Sequence, residues 1–317
     1  MLEASTVSRD DVRDAAKRIG DLVQRTPLIE SEVDGIPVWL KCECLQTGGA
    51  FKLRGATNRL LQLSEAERDR GVVAFSSGNH ARGVAIAARR LGIHAVIVMP
   101  SDAPRVKVEG TRDEGAEIVF YDRRKESREA IAARISGETG ATVVPSFDDP
   151  AIVAGQGTVG IEIVEQLGRA PTRIVIPCGG GGLASGIALA VPEAEIVIVE
   201  PEGWDDMARS LEFGDIVPVA SDAPDTICDA LQTPRVSPIT FGILQQRKAM
   251  ALSVTDSEAA EAVRFAWDRH GLTVEPGGAV ALAALLSAKV APLEGTVVVL
   301  SGANIDPALH ARIVNEA

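Results

Sequence analysis

The chain has 317 residues, 46% hydrophobic and 24% charged, which is enough apolar material for one large or two moderate cores and excludes a disordered chain. Its formal net charge of -12, with no Lys/Arg-rich run, argues against nucleic acid as a partner. Cys42, Cys44, Cys178 and Cys228 include no C-x-x-C and read as buried free thiols of a cytoplasmic protein, and no apolar run is long enough for a membrane span.

In chain order, the acidic N-terminus lacks the apolar stretch of a leader. Val12, Ala15, Ala16, Ile19, Leu22 and Val23 then recur at helical spacing, which predicts an amphipathic helix ending near RTPL, residues 25–28. The segment TGGAFKLRGA, residues 47–56, sets Lys52 between Phe51 and Leu53 just after a glycine turn.

From residue 71 onward, short Val/Ile-rich strands alternate with amphipathic helices. GVVAFS precedes HARGVAIAARRLG, HAVIVMP precedes RVKVEGTRDEG, AEIVFYD precedes ESREAIAARISGETG, and ATVVPSF precedes GQGTVGIEIVEQLG. RIVIP, GLASGIALAV, AEIVIVE, PGGAVALAALLSA and TVVVLSG continue the alternation. Continuous apolar strands between helices imply parallel sheets covered on both faces, so the expected class is α/β with doubly wound open sheets. Four of the strands fall within residues 71–148. This predicts a small α/β domain over 71–148, inserted into a larger one formed by 1–70 and 149–317.

Ligands in such folds bind beyond the carboxyl ends of strands, and three strand ends there are unusual. In PCGGGGLASG, residues 177–186, four glycines lead into a helix, and their backbone N–H groups can converge on a phosphate at its N-terminus. FSSGNHARG, residues 75–83, crowds hydrogen-bonding groups at a second helix N-terminus, which suits a carboxylate. In VVLSGANID, Ser301 and Asn304 follow an apolar strand.

Gly180, Gly182 and Gly186 also fit G-x-G-x-x-x-G, with Glu200 where a dinucleotide fold places its ribose-binding acid, so a nicotinamide-dependent oxidoreductase stays open. That reading leaves Lys52 and the other two strand ends unexplained. A phosphorylated aldehyde held by the glycines could form a Schiff base with Lys52, and pyridoxal 5'-phosphate is such an aldehyde.

The ordered set GGAFKLRGA, SSGNHARG, AGQGT, PCGGGGLASG, EPEGWDD and SGANID resembles the fold-type II pyridoxal-phosphate enzymes with the tryptophan synthase beta-like fold, specifically the serine/threonine dehydratase and serine racemase family. The resemblance covers nearly the whole chain. It implies that Lys52 is the Schiff-base lysine, Phe51 packs by the ring and Asn79 bonds its phenolic oxygen. Gly179, Gly180, Gly181, Gly182 and Leu183 would hold the phosphate, Ser301 would meet the pyridine nitrogen, and Glu275 would lie nearby. Ser77 would be the acid/base on the face opposite Lys52. Glu200, the Trp204 carbonyl and Asp206 match the family's divalent-cation site, an all-oxygen set suited to Mg²⁺, Mn²⁺ or Ca²⁺.

The implied activity is dehydration and deamination of a small β-hydroxy amino acid, L-serine, L-threonine or 3-hydroxyaspartate, to a 2-oxo acid and ammonia. Racemisation of serine or aspartate on the same scaffold, and cofactor binding without turnover, are the alternatives. Ser76, Ser77, Asn79, His80 and Arg128 would approach the substrate carboxylate. Arg82 is an addition in this chain, and a His80, Arg82 and Arg128 cluster would accept a second carboxylate. Gly48, Ala50 and Ala303 depart from the family pattern. A homodimer is usual in this family.

Overall fold

The computed structural model describes residues 7–76, 78–103 and 105–315. Its N-terminal part runs α1 (Arg9–Ile19), β1 (Leu28–Val33), β2 (Ile36–Lys41), α2 (Lys52–Leu61) and α3 (Glu65–Arg70). Next come β3 (Val72–Phe75), α4 (Asn79–Leu91), β4 (Ala95–Pro100), α5 (Arg105–Arg112), β5 (Glu117–Tyr121), α6 (Arg128–Thr139) and β6 (Thr142–Val143). The chain continues with α7 (Pro150–Leu167), β7 (Arg173–Pro177), α8 (Gly182–Ala190), β8 (Glu195–Pro201), α9 (Asp206–Phe213) and α10 (Pro238–Gln246). It closes with β9 (Met250–Val254), α11 (Asp256–His270), α12 (Pro276–Leu286), β10 (Thr296–Val299) and α13 (Pro307–Asn315).

Two sheets result. One has six strands in the order β1-β2-β10-β7-β8-β9, and the other has four in the order β5-β4-β3-β6. Alternate side chains along each strand enter cores on opposite faces, as a buried parallel sheet requires. Val175, Val197 and Val298 join one core of the larger sheet, while Ile174, Ile196 and Val297 join the other. Val72 and Ala74 point to one face of the smaller sheet, and Val73 points to the other.

The expectation of purely parallel sheets needs one correction. Strands β1 and β2 form an antiparallel hairpin at the edge of the larger sheet, with Val33 opposite Ile36. Asp34 and Gly35 turn the chain with φ of 52° and 76°, the left-handed pair that a tight hairpin demands. The Asp-Gly between two apolar runs is the sequence signal for this turn. Strand β9 also lies outside the predicted strands, and its mixed burial explains why its sequence carries no continuous apolar run. Among the described residues no helix is long and apolar enough to cross a membrane, and all four cysteines are free and buried.

Sheet register positions the site. Val299 of β10 lies opposite Lys41 of β2, so the segments leaving these two strands run side by side. Ala50 bridges Gly302, and the Phe51 N–H donates to the Ser301 carbonyl at 3.2 Å. Lys52, the first residue of α2, is thereby set beside the Ser301 loop. Helix α2 is seated on α7 by close backbone approach, since a Cβ on Gly155 would stand 2.6 Å from Gly55 Cα. This contact accounts for the first glycine of the AGQGT motif; the second, Gly157, would place a Cβ 2.6 Å from the Gly186 carbonyl oxygen of α8.

Candidate active site

The carboxyl ends of strands from both sheets open on one cavity of about 660 Å³, whose lining includes Lys52, Ser76, Asn79, Gly179 to Gly182 and Ser301. That volume is ample for a cofactor with a small substrate. Within it the Lys52 amine donates one hydrogen bond, to the Ser146 carbonyl at 3.1 Å, and stands 5.1 Å from the Phe51 ring centroid. No carboxylate pairs with it among the described residues. Burial therefore lowers its pKa to about 8, so an appreciable share of the amine is neutral and nucleophilic near physiological pH.

The glycine loop faces the same cavity. Gly181 has φ of 83°, a conformation that disfavours any side chain, and it leads directly into α8. A Cβ on Gly180 would stand 2.3 Å from the Phe147 ring. Only bare backbone fits between that ring and the helix, so the loop's N–H groups and the helix dipole together form an anion cradle. An amine of lowered pKa and a phosphate cradle opening on one cavity are the two ends that pyridoxal phosphate requires, and the residues fit it.

Between these ends, a polar chain crosses the cleft. Asn304 Nδ2 donates to Asn79 Oδ1 at 2.7 Å and to the Gly48 carbonyl at 2.8 Å, while Asn79 Nδ2 donates to Glu275 Oε1. Glu275 packs against Gly302, where a Cβ would stand 2.0 Å from Oε1. Glu275 is the residue before Pro276, which opens α12, yet its side chain turns to Asn79 instead of capping that helix. Burial drives the Glu275 pKa up to about 7, against the pull of Lys107 and Asn79. Ser301 is buried and lines the cavity, whereas Glu275 lies just behind the lining.

On the substrate side the residues divide. Ser76 and Arg128 line the cavity, with Ser76 Oγ accepting from the Gly78 N–H at 3.2 Å. The Arg128 guanidinium lies 5.4 Å from the Phe75 ring centroid, with its Nε donating to Glu129 at 2.9 Å. Ser77 lies outside the described residues. His80 also lines the cavity, but as a neutral imidazole: its Nε2–H donates to the Val144 carbonyl at 2.9 Å, and burial together with Lys52 lowers its pKa to about 3.

The expected cluster of His80, Arg82 and Arg128 does not form. Residues two apart on a helix face different ways, and Arg82 on α4 turns from the main cleft into a smaller cavity, where its Nη1 donates to Asn304 Oδ1 at 3.0 Å. Trp267 is 42% exposed and packs edge-on against His310.

Glu200 and Asp206 are both fully buried at the end of β8 and the start of α9. Glu200 accepts from the backbone N–H groups of Met207 (3.1 Å) and Ala208 (2.8 Å). Neither Asp206 oxygen has an aligned donor. Burial pushes Asp206 up to about 7, against its own N–H and that of Val236, and burial beside Asp206 raises Glu200 well above the carboxylate range. Two buried acids side by side, with no cationic side chain bonded to Glu200 and no donor aligned on Asp206 among the described residues, fit a shared cation. No third ionisable or thiol ligand joins them among the described residues, so the set would be completed by carbonyl oxygen.

Sequence reasoning missed three parts of this site. Lys107 of α5 pairs with Asp229 across the cavity mouth. Thr233, Arg235 and Ser237 line the wall on an irregular segment that carries no periodic signal. Phe147, which packs on the glycine loop, follows a strand of only two residues, and nothing in its sequence context marks it.

The chain resembles known proteins over nearly its whole length. The chain is 42% identical to an L-threo-3-hydroxyaspartate ammonia-lyase from a Pseudomonas species over 316 residues, covering 97% of this chain and 98% of the relative. It is 40% identical to a serine racemase from Schizosaccharomyces pombe, covering 97% of each chain. The solved structure of maize serine racemase superposes with a TM-score of 0.91 at 36% identity and 96% coverage of both chains. The pyridoxal-phosphate dependent enzyme family matches residues 19–302, a span that contains Lys52 and the glycine loop, and the chain belongs to this family.

Proposed function

We propose that the protein is an ammonia-lyase that dehydrates and deaminates a small β-hydroxy amino acid, releasing a 2-oxo acid and ammonia. The observation that carries this reading is the unpaired Lys52 amine of lowered pKa, lining the same cavity as the glycine cradle. When bound, pyridoxal phosphate supplies an electron sink for the pair left behind as the α-proton departs. The residues proposed to hold it are Lys52 and Phe51, Asn79 at its phenolic oxygen, Gly179 to Leu183 at its phosphate and Ser301 at its ring nitrogen.

Lys52 would hold the cofactor's aldehyde carbon, and its amine would serve as the base at the substrate α-carbon, with a pKa near the operating pH as general-base catalysis favours. Ser301 would meet the ring nitrogen with a neutral hydroxyl, so the group would supply a moderate sink, and the β-hydroxyl would leave as water by taking up the proton that Lys52 removed. The unsaturated amine so formed tautomerises and is hydrolysed by water. Arg128 and Ser76 hold the substrate carboxylate at the cavity wall. His80, held neutral by burial, leaves that task to the arginine.

Serine, threonine and 3-hydroxyaspartate are the proposed substrate class, and the relative that acts on 3-hydroxyaspartate supports including the last. Racemisation is the second reading, favoured by the 40% identity to a serine racemase, with Ser77 returning the proton on the face opposite Lys52. A divalent cation on Glu200, Asp206 and the Trp204 carbonyl would support the loop from β8 to α9, because it would satisfy the unpartnered Asp206 and offset the repulsion between the two buried acids. We further read residues 71–148 as a smaller unit set into the larger one, since the four-stranded sheet draws every strand from that stretch. A cytoplasmic homodimer completes the proposal.

The deciding experiment assays ammonia and 2-oxo acid release from stereoisomers of serine, threonine and 3-hydroxyaspartate, with chiral analysis of unreacted substrate. Stoichiometric ammonia and 2-oxo acid support the lyase. Inversion without ammonia would replace it with the racemase.

A further inference from the structure

Among the described residues four Lys/Arg side chains line the main cavity: Lys52, Lys107, Arg128 and Arg235. Three of them have a task. Lys52 carries the chemistry, Lys107 pairs with Asp229, and Arg128, which donates from Nε to Glu129 at 2.9 Å, is assigned to the substrate's α-carboxylate. Arg235 has neither an ion pair nor a side-chain hydrogen bond among the described residues. Asp148, the remaining acid of the lining, forms no ion pair either, so no acid of the wall neutralises this guanidinium.

The backbone fixes where Arg235 stands. It lies on the irregular segment between α9 and α10, flanked by Pro234 and by Val236, which is buried in one of the two cores of the larger sheet. The Pro234 carbonyl accepts from the Val219 N–H at 2.9 Å, and Ser237 caps α10 with Pro238 in its first turn. Two residues upstream, Thr233 packs on the glycine loop, where a Cβ on Gly179 would stand 3.0 Å from its hydroxyl oxygen. With Val236 turned into the core, the long side chain of Arg235 is left exposed at the cavity wall. A backbone pinned in this way has little freedom to lose when the guanidinium closes on an anion.

Arg128 and Arg235 reach the cavity from different parts of the molecule, one from α6 beside the four-stranded sheet and the other from the segment ahead of α10. A substrate with one carboxylate can engage one of them; a substrate with two can engage both. In a chain of net charge -12, an unpaired arginine at the wall also offsets the field that would repel a second carboxylate. We propose that Arg235 binds the distal carboxylate of the substrate and so selects 3-hydroxyaspartate over serine and threonine. This assignment rests on the ammonia-lyase reading above and narrows its substrate class. A guanidinium meets a carboxylate through two parallel N–H bonds. Serine and threonine carry no such acceptor and leave the arginine in water, so the device adds affinity for the dicarboxylate without shutting out the smaller substrates.

The test compares the holoenzyme with Arg235→Met and Arg235→Lys, both changes at an exposed position. Ammonia release gives kcat/KM for serine and for the 3-hydroxyaspartate stereoisomer that turns over best. The ratio of the second to the first should fall about tenfold or more in Arg235→Met, chiefly through KM, which is the size of one hydrogen bond between charged groups. Arg235→Lys should recover part of the loss, because the charge survives and the fork does not. A second readout needs no turnover. Calorimetric titration with succinate should show binding that Arg235→Met weakens about tenfold or more, whereas propionate, with its single carboxylate, should not distinguish the two proteins.

An unchanged ratio or an unchanged succinate affinity would overturn the proposal, as would a wild type that turns over serine but not 3-hydroxyaspartate. So would a loss of cofactor affinity in Arg235→Met with the ratio intact, which would move the arginine into the phosphate cradle. Ammonia from none of the substrates defeats the lyase reading instead. The succinate titration then decides the arginine by itself: weakened binding in Arg235→Met upholds its role toward a distal carboxylate, and equal binding removes it.

Discussion

Lys52 and Arg54 stand two residues apart at the start of α2, both withdrawn from water, and the protein treats them in opposite ways. Arg54 is fully buried and surrounded by acids, with Nε and Nη2 donating to the two Glu43 oxygens at 2.8 Å each and Nη2 also reaching Glu162 at 2.9 Å. Lys41 joins the same network, donating to Glu162 at 2.6 Å and to the Thr26 carbonyl at 2.8 Å. Burial opposes charge on Arg54, but Glu43 and Glu162 outweigh it and the guanidinium stays ionised. Lys52 has a single carbonyl partner and no acid, so burial prevails and its proton is held loosely. A paired buried cation serves the structure; an unpaired one is available for chemistry.

This contrast can be broken at four points. Replacing the amine has the largest effect: Lys52→Ala should cut turnover by ~10³-fold or more, in keeping with loss of a nucleophile that also serves as the base, while the melting temperature of the apo-protein hardly changes. Steady-state assay paired with calorimetry reads both halves. Arg54→Met should do the reverse. Leaving Glu43 and Glu162 buried without their shared partner costs about 3–5 kcal/mol, seen as a lower urea midpoint, with cofactor still captured by the fraction that folds.

The third point lies at the other end of the cofactor. Gly180→Ala forces a methyl group into the Phe147 ring and should weaken cofactor affinity by about tenfold or more, measured by equilibrium dialysis. The smallest effect concerns pH. The Lys52 pKa is lowered to about 8, and the neutral amine is the reactive form, so capture of the cofactor by apo-protein should rise with pH through a midpoint near that value. Below the midpoint, each unit of pH should slow capture about tenfold. Stopped-flow absorbance across pH 6 to 10 checks it. A midpoint near the ordinary lysine value would mean that burial does not govern this group.

Much of the architecture was legible because it repeats. Strands such as RIVIP and AEIVIVE and the helices after them follow a single rule of alternation, and the glycine-rich strand ends mark where backbone must come close to a ligand. The hairpin at Asp34-Gly35 escaped that reading, because its signal is a two-residue turn and not the alternation of strand and helix. The substrate wall was not legible. Thr233 and Arg235 sit on an irregular segment, and the partnership of Lys107 with Asp229 joins elements 122 positions apart. Arg82 shows the limit most plainly, because residue type suggested a carboxylate partner while helix phase turned the side chain into a different cavity.

The most direct test reduces the holoenzyme with borohydride, digests it and maps the fixed cofactor by peptide mass. The account predicts a single adduct, on the peptide carrying the lysine at position 52, formed in proportion to bound cofactor. An adduct on any other lysine, or none in protein that is fully loaded, would contradict it.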